Sequence, residues 1–255
     1  MSPAIALDNV AVSFGGVRAV DGVTISIAAN EFIGLIGPNG AGKTTLVGII
    51  SGKIRPDRGR VMLGGKDMTG RPTAARVRQG LALTHQIVRP FRDMAVLDNV
   101  VLAAGYRRTL NPLRALLHVD RRRETERAIG IIRRVGLGGT EHKLAGSLPL
   151  GQMKRLEVAR ALALDPQVIL LGEPLAGLNQ IEAAAQVETI AALHAEGITI
   201  LLIEHNLEEV MRNCRRLVVM NDGLVIADGE PATVMADAAV LEAYVGKGRA
   251  EYARH

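Results

Sequence analysis

A chain of 255 residues can bury roughly 70–75% of the surface its unfolded form exposes, so it folds without disulfides or a structural metal. Hydrophobic residues at 48% and charged residues at 22% exclude wholesale disorder, and the single Cys214 excludes an internal disulfide and suits a reducing compartment. Thirty-one Lys plus Arg against 26 Asp plus Glu leave +5, too small an excess to select nucleic acid, anionic lipid or polyphosphate by itself.

The first 65 residues read as strands. Ile5 to Val12 and Val23 to Ile27 alternate at period two, and Phe32 to Ile36 is a continuous apolar run suited to a buried strand. A helical pattern follows from Gly42 to about Ile50 and stops at Gly52. Val61 to Leu63 then leads into Gly64-Gly65, a hairpin signal. Between Met94 and Asp165 the pattern becomes helical. Arg121 to Val135 carries an apolar stripe of Ile129, Ile131, Ile132 and Val135, closed by Gly136 and Gly138. A second helix runs from about Gln152 to Leu164 and halts at Asp165-Pro166. Strands return at Val168–Leu171, Ile198–Ile203, Leu217–Met220 and Leu224–Ala227, the last two flanking Asn221-Asp222-Gly223. Strands alternating with helices argue for a largely parallel α/β core, with the middle helical block inserted into it.

Three Phe, three Tyr and no Trp make the core aliphatic, so an aromatic in a loop stands out. The start, Met1 to Asp8, shows no basic region followed by an apolar stretch, and no apolar run approaches the ~18–20 residues that span a bilayer. The expectation is a cytoplasmic protein that reaches a membrane only through partners.

The sharpest motif is Gly37-Pro38-Asn39-Gly40-Ala41-Gly42-Lys43-Thr44-Thr45, which fits G-x-x-x-x-G-K-[ST] between a predicted strand and a predicted helix. In that setting glycine backbone N–H groups cradle phosphate oxygens at a helix N-terminus. Lys43 then reaches the β- and γ-phosphates of a nucleotide, and the Thr44 hydroxyl coordinates Mg²⁺. Glu173 follows the apolar strand Val168–Leu171, where a carboxylate at a strand's C-terminal edge faces the ligand crevice and can polarise water.

Further along stand Leu148-Pro149-Leu150-Gly151-Gln152, then Leu170-Leu171-Gly172-Glu173, then Ala176-Gly177-Leu178-Asn179, then Ile203-Glu204-His205. In this order and spacing the sequence resembles the ATPase domain of ABC transporters over essentially its whole length. The resemblance implies a P-loop ABC ATPase core with an antiparallel β edge near the N-terminus and a helical subdomain near residues 87–165. It makes residues 1–255 one nucleotide-binding domain, with 241–255 as a C-terminal tail. It also implies that Leu148 to Gln152 is the signature loop, Gln86 the Q-loop glutamine that helps hold Mg²⁺, His205 the switch histidine near the γ-phosphate, and Phe14 an aromatic stacked on adenine. Glu173, His205 and Gln86 are then the catalytic set.

One branch, the ATPase subunits of branched-chain amino-acid importers, is resembled further. Phe14 to Val20, Gly80 to Gln86, Asn179 in place of the usual Asp, the segment Gly105 to Val119, and the ending Val240 to Gly246 carry that likeness. The implied partners are a second ABC ATPase subunit, two transmembrane permease subunits and, indirectly, a solute-binding protein, on the inner face of the cell membrane. Two residues depart from the family's pattern. Pro149 replaces the signature serine, and Gly172 replaces the Walker B aspartate that helps hold Mg²⁺. They leave open a low-turnover regulatory nucleotide-binding module, and the likeness also extends to ATPase subunits of lipid or polysaccharide exporters. The basic runs Arg107-Arg108, Arg121 to Arg123, Arg133-Arg134 and Arg215-Arg216 have few interleaved aromatics, so they read as solvated helix faces and no nucleic-acid partner is expected.

Overall fold

A computed structural model describes residues 2–84, 90–106, 121–204 and 207–244, with the backbone alone at 207–209. Gln86 and His205 lie outside the described residues, as do Arg107-Arg108, nearly all of the Gly105 to Val119 segment and the tail from 245 onward.

The N-terminal residues build a four-stranded antiparallel sheet. Its order is β2 (Val17–Ile27), β1 (Ile5–Phe14), β4 (Arg58–Leu63), β5 (Lys66–Asp67). Phe14 pairs with Val17 across Gly15-Gly16, whose φ values of 54° and 85° fit the two-residue turn that matches strand twist. The strand β3 (Phe32–Ile36) leaves this sheet and becomes the centre of a second one. That six-stranded sheet has the order β10 (Leu224–Gly229), β9 (Arg216–Asn221), β3, β8 (Thr199–Ile203), β7 (Val168–Gly172), β6 (Leu81–Leu83). All its pairs are parallel except the β9–β10 hairpin. The five residues of β3 and the five of β8 are all buried, as continuous apolar strands covered on both faces require.

Between the two sheets, Ile5, Leu7, Ile25, Ile33, Leu35, Val218 and Leu201 pack around α1 (Lys43–Ser51), which contributes Leu46, Ile49 and Ile50. Full burial of such side chains contributes about 1.5–3 kcal/mol each relative to exposure. The other face of the parallel sheet is covered by α3 (Val96–Ala104), α4 (Arg122–Arg134), α5 (Leu150–Leu162) and α6 (Gln180–Ala195). The first three of these helices lie, in chain order, between the adjacent parallel strands β6 and β7. On α4 the buried stripe is Ala128, Ile131 and Ile132, continued by Val135, while Ile129 is only half-buried. The stripe therefore turns by one residue from the predicted one.

Arg216 corrects the reading of the basic pairs as helix faces. It sits in β9 and donates to both carboxylate oxygens of Asp228 at 2.6 and 2.7 Å, and to Glu31 at 3.1 Å. The Asp228 hydrogen bonds raise its pKa, with Glu31 assisting and burial opposing. Arg121 to Arg123, by contrast, are exposed.

A short helix, α2 (Thr73–Arg78), carries the fully buried Arg76. Its guanidinium donates to the carbonyls of Ile49, Ile50, Met68, Thr69 and Arg71, so it closes the C-terminal end of α1 with a cation. A positive charge there also complements the helix dipole. Arg76→Ala is expected to destabilise the protein by about 3–5 kcal/mol, because it leaves buried carbonyls without donors and opens a cavity. Urea unfolding checks this; a midpoint shift equivalent to under about 1 kcal/mol would contradict it.

Candidate nucleotide site

Three parallel neighbours, β3, β8 and β7, end on the same edge of the sheet, and each C-terminal end passes into a segment bearing a candidate residue. Ligands of open α/β sheets bind outside the carboxyl ends of the strands. After β3 comes the Gly37–Thr45 loop, which runs into α1.

The shape of this loop is enforced by contacts that admit no side chain at two positions. A Cβ on Gly37 would lie 2.1 Å from the Met220 carbonyl oxygen, and one on Gly42 would lie 2.3 Å from that of Ala19. Both residues also have positive φ, 147° and 99°. The N-cap of α1 is Gly42, with no side-chain hydrogen bond to the first turn, and a helix N-terminus of this kind suits an anion. Lys43 is buried, and its ammonium donates to the carbonyls of Gly37 at 2.6 Å and Pro38 at 3.0 Å. Asn39, Gly40 and Thr44 are exposed, Pro38, Gly42 and Thr45 are half-buried, and Ala41 is buried.

Phe14 is 52% exposed at the tip of the β1–β2 hairpin, so strand packing does not account for it. The neighbouring residues Arg18 and Ala19 lie against Gly42 and the Gly223 turn, which places the hairpin tip beside the start of α1.

At the end of β7, Gly172 pairs with Ile203, and its N–H points to the Thr84 hydroxyl at 3.4 Å. Glu173 leaves the strand with φ 47°, a left-handed conformation unusual for a residue with a side chain, and its N–H donates to the Ile203 carbonyl at 2.8 Å. Backbone of this kind clusters at functional sites.

The Leu148–Gln152 loop opens α5, with Pro149 in extended conformation as an N-cap that offers no side-chain acceptor. Leu148 and Gly151 are buried, Gln152 is half-buried, and Pro149 and Leu150 are exposed. The loop packs on the segment after β7. A Cβ on Gly177 would come within 3.0 Å of Leu150, and one on Gly151 within 2.9 Å of Glu182. Asn179 caps α6 through a reciprocal capping box with Glu182, at 2.9 and 3.2 Å. The structure therefore joins Leu148–Gln152 to Ala176–Asn179, and joins the P-loop to Ala19 and Met220.

Two buried ions at this edge escaped the sequence reading. Glu204 directly follows β8, and Lys154 sits on α5. A signal existed for Lys154, which falls on the helix face of Gly151 and Val158, where the period calls for an apolar residue.

For Mg²⁺, Thr44 offers a hydroxyl at the first turn of α1, and Gly172 offers no side chain. Among the described residues no cluster of three or more His, Cys, Asp or Glu could hold a metal by itself. A Mg²⁺ ion there would take the Thr44 hydroxyl together with phosphate oxygens and water, hard ligands of the type it prefers.

A cleft of about 350 Å³ opens beside β6 and is walled by Leu83, Phe91, Leu102, Tyr106 and Arg160. Phe91 and Leu102 are exposed, and the Arg160 guanidinium stacks on the Phe91 ring at 5.1 Å. No helix among the described residues is long and apolar enough to cross a membrane.

Comparison with known proteins follows the same residues. The family model described as ABC transporter matches residues 20–176, and that of the branched-chain amino acid ATP-binding cassette transporter matches 225–250. The branched-chain amino acid transport ATP-binding protein BraF of Pseudomonas aeruginosa is 35% identical over 96% of this chain and 98% of its own. The lipopolysaccharide export ATP-binding protein LptB of Acidithiobacillus ferridurans is 37% identical over 88% of this chain and 89% of its own. A crystal structure of the ADP conformation of MJ1267, an ATP-binding cassette of an ABC transporter, superposes with a TM-score of 0.85 at 34% identity. It covers 96% of this chain and all of that one. The chain belongs to the ATP-binding subunits of ABC transporters, a family of ATPases coupled to transport.

Proposed function

We propose that this chain is the ATP-hydrolysing motor of an importer for branched-chain or other hydrophobic amino acids. The observation that carries the motor reading is the P-loop, in which Gly37 and Gly42 admit no side chain and Gly42 caps α1 without a side-chain hydrogen bond. ATP lies with its adenine on Phe14 and its phosphates in the cradle Gly37 to Thr45. Lys43 meets the β- and γ-phosphates, Thr44 and Gln86 hold Mg²⁺, Glu173 polarises the attacking water, and His205 contacts the γ-phosphate.

Two copies sandwich two nucleotides, each P-loop facing the partner's Leu148–Gln152 loop, where the Gly151 N–H and the helix start replace the missing serine hydroxyl. Residues 87–165 form the helical subdomain, and the cleft at Phe91 and Leu102 seats the permease. Its exposed apolar wall, on a chain whose described helices do not cross a membrane, suits a membrane partner's cytoplasmic segment. The subunit then works at the inner face of the cell membrane, and a solute-binding protein acts through the permease.

The branched-chain match over residues 225–250 favours the amino-acid importer. The 37% identity to LptB favours, as the second reading, the motor of a lipopolysaccharide exporter. Co-purification of the membrane partners and reconstitution in vesicles separate the two: ATP-dependent leucine uptake with a binding protein supports the first, and ATP-dependent lipopolysaccharide extraction overturns it. For the nucleotide site, Lys43→Ala is expected to cost about 2–3 kcal/mol of Mg-ATP binding, roughly 30- to 150-fold in Kd. Calorimetry giving an unchanged Kd would remove the phosphate assignment.

A further inference from the structure

Lys154 is 6% exposed, on the buried face of α5, one turn beyond the Leu148–Gln152 loop. Its ammonium donates to the main-chain carbonyl of Glu173 at 2.6 Å. That carbonyl also accepts from the Ala176 N–H at 3.3 Å, and the Glu173 N–H is fixed to β8 through Ile203 at 2.8 Å. The strained peptide of Glu173, with φ 47°, is thus held from the sheet on one side and from α5 on the other. Glu204, 3% exposed, accepts the Leu175 N–H at 2.8 Å, which secures the residue two places further on. Burial lowers the Lys154 pKa, and the negative charges of Glu204 and Glu173 oppose that shift.

We propose that Lys154 is a positioning residue that aims the Glu173 carboxylate and ties it to the helix presenting the Leu148–Gln152 loop. The proposal rests on Glu173 being the water-polarising group. The ammonium reaches the main chain of Glu173, so it fixes the direction from which the side chain leaves the backbone. Because Lys154 stands on the helix that the Leu148–Gln152 loop opens, displacement of that loop moves the donor that holds Glu173. A small misplacement of a catalytic group costs rate more than binding.

The test compares steady-state phosphate release, ATP affinity and melting temperature in the full chain and four variants. Lys154→Met is expected to lower kcat by about thirtyfold or more while the Kd for ATP stays within about threefold. Lys154→Arg, which keeps a cationic donor, is expected to recover most of that loss. Lys154→Met with Glu204→Gln removes the nearby carboxylate together with the cation. It is expected to restore the melting temperature but not kcat, and it keeps the test available if the single variant fails to fold. Glu173→Gln serves as the reference. If Glu173→Gln is inactive and the double variant turns over at the parental rate, Lys154 serves only to balance Glu204 and the proposal falls. A loss of ATP affinity with kcat unchanged also overturns it. Parental turnover in Glu173→Gln instead removes the role given to Glu173 itself.

Discussion

Glu173→Gln is expected to lower ATP turnover at least a hundredfold while leaving ATP affinity within a few-fold, so that an ATP-bound dimer accumulates. General-base groups contribute typically about 10²–10⁴-fold, and the amide keeps the shape of the carboxylate while losing its basicity. The surroundings favour a clean result. The strained backbone of Glu173 is fixed through its own N–H and C=O, by Ile203 and Lys154, so exchanging the side-chain terminus leaves those bonds in place. Phosphate release, calorimetry and size-exclusion chromatography with ATP read the three quantities. Turnover at the parental rate would show that another group polarises the water.

Gly172→Asp is expected to raise turnover by one to two orders of magnitude and to lower the Mg²⁺ concentration needed for half-maximal rate. Mg²⁺ demands near-octahedral oxygen ligands and is commonly held by one or two carboxylates besides phosphates and water. With glycine at the end of β7, a bound ion would rely on Thr44, Gln86, phosphate and additional water, and would be held more loosely. A misplacement of about 1 Å can cost around a hundredfold in rate. The backbone does not oppose the substitution. Gly172 is paired in register with Ile203, and its φ lies outside the left-handed region, so an aspartate brings no backbone strain there. Circular dichroism and melting establish that the variant is folded. A folded variant with unchanged Mg²⁺ dependence and turnover would show that position 172 does not limit metal binding.

What the sequence reveals follows the reach of the forces involved. The P-loop is legible because Gly37, Gly40 and Gly42 all take positive φ, a local demand, and β3 and β8 because apolar runs of five residues have few other uses. The turns at Gly64-Gly65 and Asp222-Gly223 are legible for the same local reason, all four residues having positive φ. Helix α6 is harder to read: its run of alanines draws no apolar stripe, and its buried positions include Gln186 beside Ile190 and Leu193. The partners of Arg76 and Lys154 are not legible, because they are main-chain carbonyls brought near only by folding. The departure of β3 from the N-terminal sheet is likewise invisible, since strand order depends on pairings with segments far along the chain. Gln86 and His205 rest on the resemblance alone.

The central place of β3 sets a timetable for synthesis. Phe32 must pair with Ile200, about 170 residues later, and Ile33 with Arg216. At about 5–20 residues per second, the ribosome takes roughly 10–30 s to deliver β8 after β3 has emerged. The N-terminal hairpin can close early, because β1 and β2 are adjacent in sequence, but the strand that carries the P-loop must wait with both edges unpaired. During that interval Phe32–Ile36 is an exposed apolar segment with open hydrogen-bonding edges, the part of the nascent chain most in need of shielding.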